Sequence, residues 1–189
     1  MKIEYQHDEG DLVLRAEPED YDGWPPAQTF RVSGGERASA DVLAVAAYLV
    51  FGRYTSGAFV LPCRIRVELA EAIEADAHPV RVRPYPVSLT PTAFPHDSRR
   101  TVGVAEPPES NARVFSEFAR REFSLRPHVA AALLSGQTFA TGTVVVDAGP
   151  TSGGVPDVAE RRAIESLLAA VGLSFELVDN ELMEEQREP

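Results

Sequence analysis

Gly52-Arg53-Tyr54-Thr55-Ser56-Gly57-Ala58-Phe59-Val60-Leu61 has a counterpart in Gly136-Gln137-Thr138-Phe139-Ala140-Thr141-Gly142-Thr143-Val144-Val145-Val146. Allowing one inserted residue, each reads as glycine, an aromatic, a hydroxyl residue, glycine and then an apolar strand. Downstream, Leu69 and Ile73 match Ile164 and Leu168 at helical spacing, and Val80 and Val82 match Phe175 and Leu177 at strand spacing. Self-similarity of this kind bears on the fold before any single element does.

Outward from these anchors the same order appears twice. The first copy predicts strands at 29–33, 58–61 and 80–83 with helices at 39–51 and 67–77. The second predicts strands at 114–119, 143–147 and 173–178 with helices at 127–134 and 156–171. The unit is too long and too rarely repeated for a solenoid. The expected fold is therefore α/β, with α+β as the alternative: two pseudo-symmetric β-α-β-α-β halves, 27–83 and 111–178, an N-terminal β-hairpin and a mixed sheet in one globular unit. Strand–helix–strand links of this length imply parallel pairing through crossovers.

Local chemistry agrees with these boundaries. Pro127 and Pro156 suit first helical turns, where a missing N–H costs no bond. Gly136 and Gly172 fall where a left-handed C-terminal cap belongs. In the last helix Val158, Ile164, Leu167, Leu168 and Val171 form one apolar stripe, leaving Glu160, Arg161, Arg162 and Glu165 to water. The Thr143-Val144-Val145-Val146 run is continuous rather than alternating, as a strand covered on both faces would be. Before the repeat, residues 2–17 alternate around Asp8-Glu9-Gly10-Asp11 and predict the hairpin, with Ile3, Tyr5, Leu12 and Leu14 toward the core. An acidic, aromatic loop holding Trp24 follows, expected to cover a sheet edge. Between the halves, 84–110 carries six of the fifteen prolines and reads as an extended arm or linker.

Composition bounds the function. Apolar residues make up 44% and charged residues 25% of 189, which is enough for a core. The net charge is −11 and Lys2 is the sole lysine, so nucleic acid and anionic membranes are poor partners. The longest apolar run, 42–51, is too short for a membrane span, and the first residues lack a signal-peptide pattern. A cytoplasmic, bacterial protein is the expectation, the latter from its Arg, Ala and Val usage. Cys63 stands alone, so it has no disulfide mate within the chain.

The strongest ligand candidate is the segment in which Asp147 closes an apolar strand and Thr151, Ser152, Gly153 and Gly154 lead to a helix. Ligands of open α/β sheets bind beyond such strand ends, and helix N-termini favour anions. The loop matches neither dinucleotide nor P-loop spacing. Cys63 is the one candidate reactive thiol. His7, His78, His96 and His128 show no metal-ligand spacing, and neither a metal nor a cofactor is expected. Ser56 precedes its strand and lacks the nucleophile-elbow frame. Trp24, His96, Arg99 and Arg100 are candidate contacts for a partner.

With no catalytic signature in view, the expected function is a soluble acidic accessory protein that binds another protein, with homodimerisation through the 84–110 arm as one form. The alternative is a small-ligand protein or enzyme taking phosphate or carboxylate at the Gly-rich loop, with Asp147 as base or acceptor.

Overall fold

A computed structural model describes residues 1–33, 38–89, 100–102, 124–135, 142–147 and 158–178. The chain opens with β1 (Lys2–Asp8) and β2 (Asp11–Glu17), an antiparallel hairpin closed by Glu9 and Gly10 at φ 51° and 89°. Two successive positive φ values match the twist of the flanking strands, and this is why a glycine stands at the second position. Ile3, Leu12, Leu14 and Ala16 turn inward as the alternation predicts, whereas Tyr5 stays 37% exposed. β3 (Thr29–Ser33) adds antiparallel to β2.

Helix α1 (Ala40–Phe51) starts at Ser39, whose hydroxyl accepts the Val42 N–H. All ten residues from Val42 to Phe51 are buried, so the helix is apolar around its whole circumference and needs neighbours on every side. A 3-10 turn (Gly52–Tyr54) leads into β4 (Gly57–Arg66), then α2 (Val67–Ala77) and β5 (Val82–Ser88). Next come β6 (Arg100–Val102), α3 (Arg126–Ser135), β7 (Gly142–Asp147), α4 (Val158–Ala169) and β8 (Leu173–Val178).

The mixed α/β architecture is present, with a five-stranded sheet ordered β3-β2-β1-β4-β5 and a three-stranded sheet ordered β6-β7-β8. β4 runs parallel to both β1 and β5, and the smaller sheet is all parallel. One sequence expectation changes here. β3 does not flank β4 as the first strand of a contiguous β-α-β-α-β unit; both hairpin strands lie between them. The reason is hydrogen bonding: β1 offers β4 a ready parallel edge, with Lys2 opposite Val60 and the Met1 carbonyl accepting the Val60 N–H at 2.9 Å. What recurs is helix, strand, crossover helix, parallel strand, as α1-β4-α2-β5 and α3-β7-α4-β8.

The proline-rich region divides. Pro84 and Pro86 belong to β5, which extends well beyond the expected 80–83, and 100–102 form β6. β5 is an edge strand, where proline costs the ladder least. Residues 90–99 and the expected strand at 114–119 lie outside the described residues.

The helices fill the space between the sheets. α1 packs on β4 and α3, α2 on β4, β5 and α4, α3 on β7 and β3, and α4 on β8. One continuous core results, running from Ile3, Phe30 and Phe59 through α1 to Leu133, Val144, Ile164 and Leu168. The Tyr48 and Phe59 rings meet edge to face at 5.8 Å in its centre. Among the described residues no helix is long and apolar enough to cross a membrane.

Candidate functional site

Where α2 and α4 approach each other lies an open cleft of about 680 Å³. Small side chains create it: Ala72 and Ala75 on α2 face Ala159 and Ala163 on α4. Charged groups ring this apolar floor. Arg53 comes from the 3-10 turn, Asp76 from the last turn of α2, Arg126 from the start of α3, and Glu160 and Arg162 from α4. Three cations therefore oppose two anions, in a chain whose net charge is −11.

One wall is a rigid, desolvated network. Arg126 grips Asp76 through both terminal nitrogens at 2.8 Å, the parallel two-bond geometry that favours arginine over lysine. Tyr48 donates its hydroxyl to the same carboxylate at 2.7 Å. The side chains of Asp76 and Arg126 are only 8% and 12% exposed. Burial pushes the Asp76 carboxyl up, but the bonds from Arg126 and Tyr48 outweigh it and hold the group below the usual carboxylate range. Burial, and then the bond to Asp76, raises the Tyr48 hydroxyl far above the ordinary tyrosine value.

The position of Tyr48 depends on Gly52. A Cβ at residue 52 would stand 2.4 Å from the Tyr48 ring, so only glycine allows the 3-10 turn to fold back over it. Gly57 serves the same stretch differently, entering β4 at φ 109°.

The opposite wall is less complete. Ser124 donates its hydroxyl to Glu160 Oε1 and accepts the Arg126 N–H at 3.2 Å. Arg126 Nε lies 3.9 Å from that same oxygen, too far for a hydrogen bond, and is buried without a hydrogen-bond partner. Nearby, burial lowers the His128 imidazole despite the pull of Glu160. Glu160 was expected to face water with the rest of the polar side of α4. Its side chain is instead 13% exposed, because α2 and α3 close over the first turn of that helix.

The residues singled out in the sequence distribute differently. Asp147 ends β7 opposite Val178, while Thr151, Ser152, Gly153 and Gly154 lie outside the described residues. In the sequence they join β7 to α4, the helix whose first turns line the cleft. Cys63 lies inside β4, not after a strand, where the register jumps between Val60 and Ile65. Its Sγ approaches the Ala40 carbonyl at 3.6 Å, and burial, then Asp41, pushes the thiol up. A neutral thiol is a poor nucleophile. Arg100 is placed in β6, and His96 and Arg99 lie outside the described residues.

Trp24 is 74% exposed and Tyr21 87%, on a loop whose backbone is pinned from below. Asp22 accepts the N–H groups of Glu19 and Ser56 and pairs with the Met1 ammonium. Burial raises this carboxyl, and those partners overcome the effect and lower it. Val158, expected in the apolar stripe of the last helix, is instead exposed at its first turn. Among the described residues no three histidine, cysteine, aspartate or glutamate side chains gather as a metal site would require.

The fold and cleft thus define a mixed α/β protein with a charged groove between helices. No protein-family model, curated protein or solved structure matches the chain.

Proposed function

We propose that this protein binds a small anionic ligand, phosphate- or carboxylate-bearing, in the cleft between α2 and α4, and that binding rather than turnover is its task. The observation that carries the reading is the convergence of Arg53, Arg126 and Arg162 on one cavity, in a chain otherwise dominated by acids. Arg126 is held ready by Asp76, so little side-chain freedom is lost when a ligand arrives. That the Gly-rich segment Thr151 to Gly154 contacts the anion is a separate proposal, drawn from the sequence alone.

Thermal melts with inorganic phosphate, phosphate monoesters and short carboxylates test the reading against sodium chloride of equal ionic strength. A ligand at a hundred times its dissociation constant adds about 2.7 kcal/mol. The rise is expected to fall sharply in Arg162→Ala, whose side chain is exposed, and to weaken in Gly153→Val. No rise above the salt control, or an equal rise in Arg162→Ala, would overturn it.

A second reading, an accessory protein that docks on another protein, is favoured by Trp24 and Tyr21. Two aromatics held outward by a pinned loop are the kind of anchor on which interfaces concentrate their energy. It expects a stoichiometric partner to co-purify from the native cell and to be lost from the Trp24→Ala, Tyr21→Ala double variant. Unchanged recovery would sink it. A cytoplasmic location and the duplication of the two halves are proposals of the same standing, drawn from the sequence.

A further inference from the structure

We infer that the cleft is regulated by the chain's own acidic segment 179–189, which docks there and competes with the free anion; this rests on the anion-site reading and adds its control. The segment follows β8 and reads Asp179-Asn180-Glu181-Leu182-Met183-Glu184-Glu185-Gln186-Arg187-Glu188-Pro189, five acids against one arginine. The cleft offers the opposite charge in a chain of net charge −11, since Arg53 and Arg162 line it and both are exposed. Its floor of Ala72, Ala75, Ala159 and Ala163 is apolar and open to solvent, a counterpart to Leu182 and Met183.

The topology brings the segment to this place. β7 and β8 run parallel and end together, with Asp147 opposite Val178. α4 packs on β8 and leads into it through the turn 170–172, where Gly172 at φ 78° reverses the chain. Helix and strand are therefore antiparallel. The first turns of α4, which bring Ala159, Arg162 and Ala163 to the cleft, lie beside the end of β8. A segment leaving Val178 thus starts at the cleft's end of that helix. Extended, its residues span up to about 36 Å, whereas α4 is about 18 Å long, so reach sets no limit. Acids alone would serve solubility; acids that begin beside a cluster of arginines are placed to pair with them.

Tethering makes a weak affinity sufficient. A short linker sets an effective concentration near about 1 mM, so a segment that binds untethered at about 0.1 mM fills the cleft and weakens a competing anion about tenfold. Exposed ion pairs of this kind are individually weak and screened by salt, so the segment yields to a ligand that binds better.

Titration calorimetry with inorganic phosphate and with acetate compares the natural chain with the triple variant Glu181→Gln, Glu184→Gln, Glu185→Gln. The variant is expected to bind at least one of the two anions about tenfold tighter. Glu4→Gln, Glu9→Gln, Glu17→Gln removes the same charge from the hairpin and is expected to change either affinity by less than about twofold, the share of the chain's overall field. A synthetic peptide of sequence 179–189 is expected to bind a chain ended at Val178, to bind the natural chain at least about tenfold more weakly, and to lose its binding when the shortened chain carries Arg162→Ala. Equal anion affinity in the natural chain and the Glu181, Glu184, Glu185 variant, or an equal gain in the hairpin variant, overturns the inference while the anion site stands. Peptide binding that survives Arg162→Ala overturns it as well. No binding of either anion by any of these chains removes the anion-site reading and the inference with it. Should the shortened chain fail to fold, the two triple variants decide alone.

Discussion

Two arginine–carboxylate clusters sit at opposite ends of the burial scale. On the outer face of the larger sheet, Arg31 reaches Asp8 at 2.7 Å and Asp11 at 3.2 Å across the hairpin, with its side chain 38% exposed. Inside, Arg126 at the start of α3 holds Asp76 of α2, both nearly dry. The distances are alike, and the energetics are not. Water screens the outer cluster, and such exposed pairs contribute little to stability. The inner pair has given up hydration that only its partner restores, so breaking it from one side leaves a stranded charge. Cationic side chains on the sheet surface are therefore replaceable, and those in the cleft are part of the fold as well as of the proposed site.

The sharpest break of this comparison is Arg126→Met. It should destabilise the protein by about 3–5 kcal/mol in urea unfolding, because Asp76 is left buried and charged with only Tyr48 as donor. Removing both ends together, Arg126→Met with Asp76→Leu, should recover most of that loss. If the single variant costs no more than an exposed pair does, the buried network is not what ties α3 to α2.

Acid stability separates the clusters by a second route. The Asp76 carboxyl lies below its unfolded value in the folded protein. Its contribution is fully present above the unfolded aspartate value of about 3.9 and is lost as pH falls through the lower folded one. His128 acts at milder pH. Its imidazole is lowered by burial, so the unfolded chain takes up a proton below about 6.5 that the folded chain refuses, and stability starts to fall there. Melting temperature against pH should show both steps. Asp76→Asn should flatten the lower one and leave the upper one in place, and an unaltered lower limb would assign acid lability elsewhere.

How much of this was legible beforehand follows from the range of each interaction. α1, α2, α3, β7, β8 and the hairpin were readable because cap residues, apolar period and turn glycines are local signals. The course of the larger sheet was not, because inserting β1 and β2 between β3 and β4 depends on which strand edges meet after collapse. The site was missed for the same reason. Tyr48, Asp76, Arg126 and Glu160 are far apart in sequence, and Glu160 sits on a helix whose polar side looked solvated. One signal was present: Gly52 in the repeated motif marks a close backbone approach, and the group that approaches is Tyr48. The loop after Asp147 stands out in the sequence because Gly and Ser runs are visible without a structure. The loop and the cleft share α4, which is as near as a sequence could point.

The smallest expected effect closes the comparison from the outer side. Arg31→Ala removes two ordinary ion pairs, yet the Arg31 stem also lies beside Val13 in the β2–β3 register, and Val13 is buried although its neighbours Leu12 and Leu14 face the core. Part of what the arginine does is therefore to cover an apolar side chain with its methylenes. Arg31→Ala should destabilise the protein only slightly, nearly independently of salt if the methylene contact dominates and less at high salt if the charges do. Arg31→Met, which keeps the stem and deletes the charge, discriminates the two in urea titrations. Stability near that of the natural protein in Arg31→Met would make the outer cluster a packing device that happens to be charged, and the contrast with Arg126 would then lie in chemistry as well as in burial.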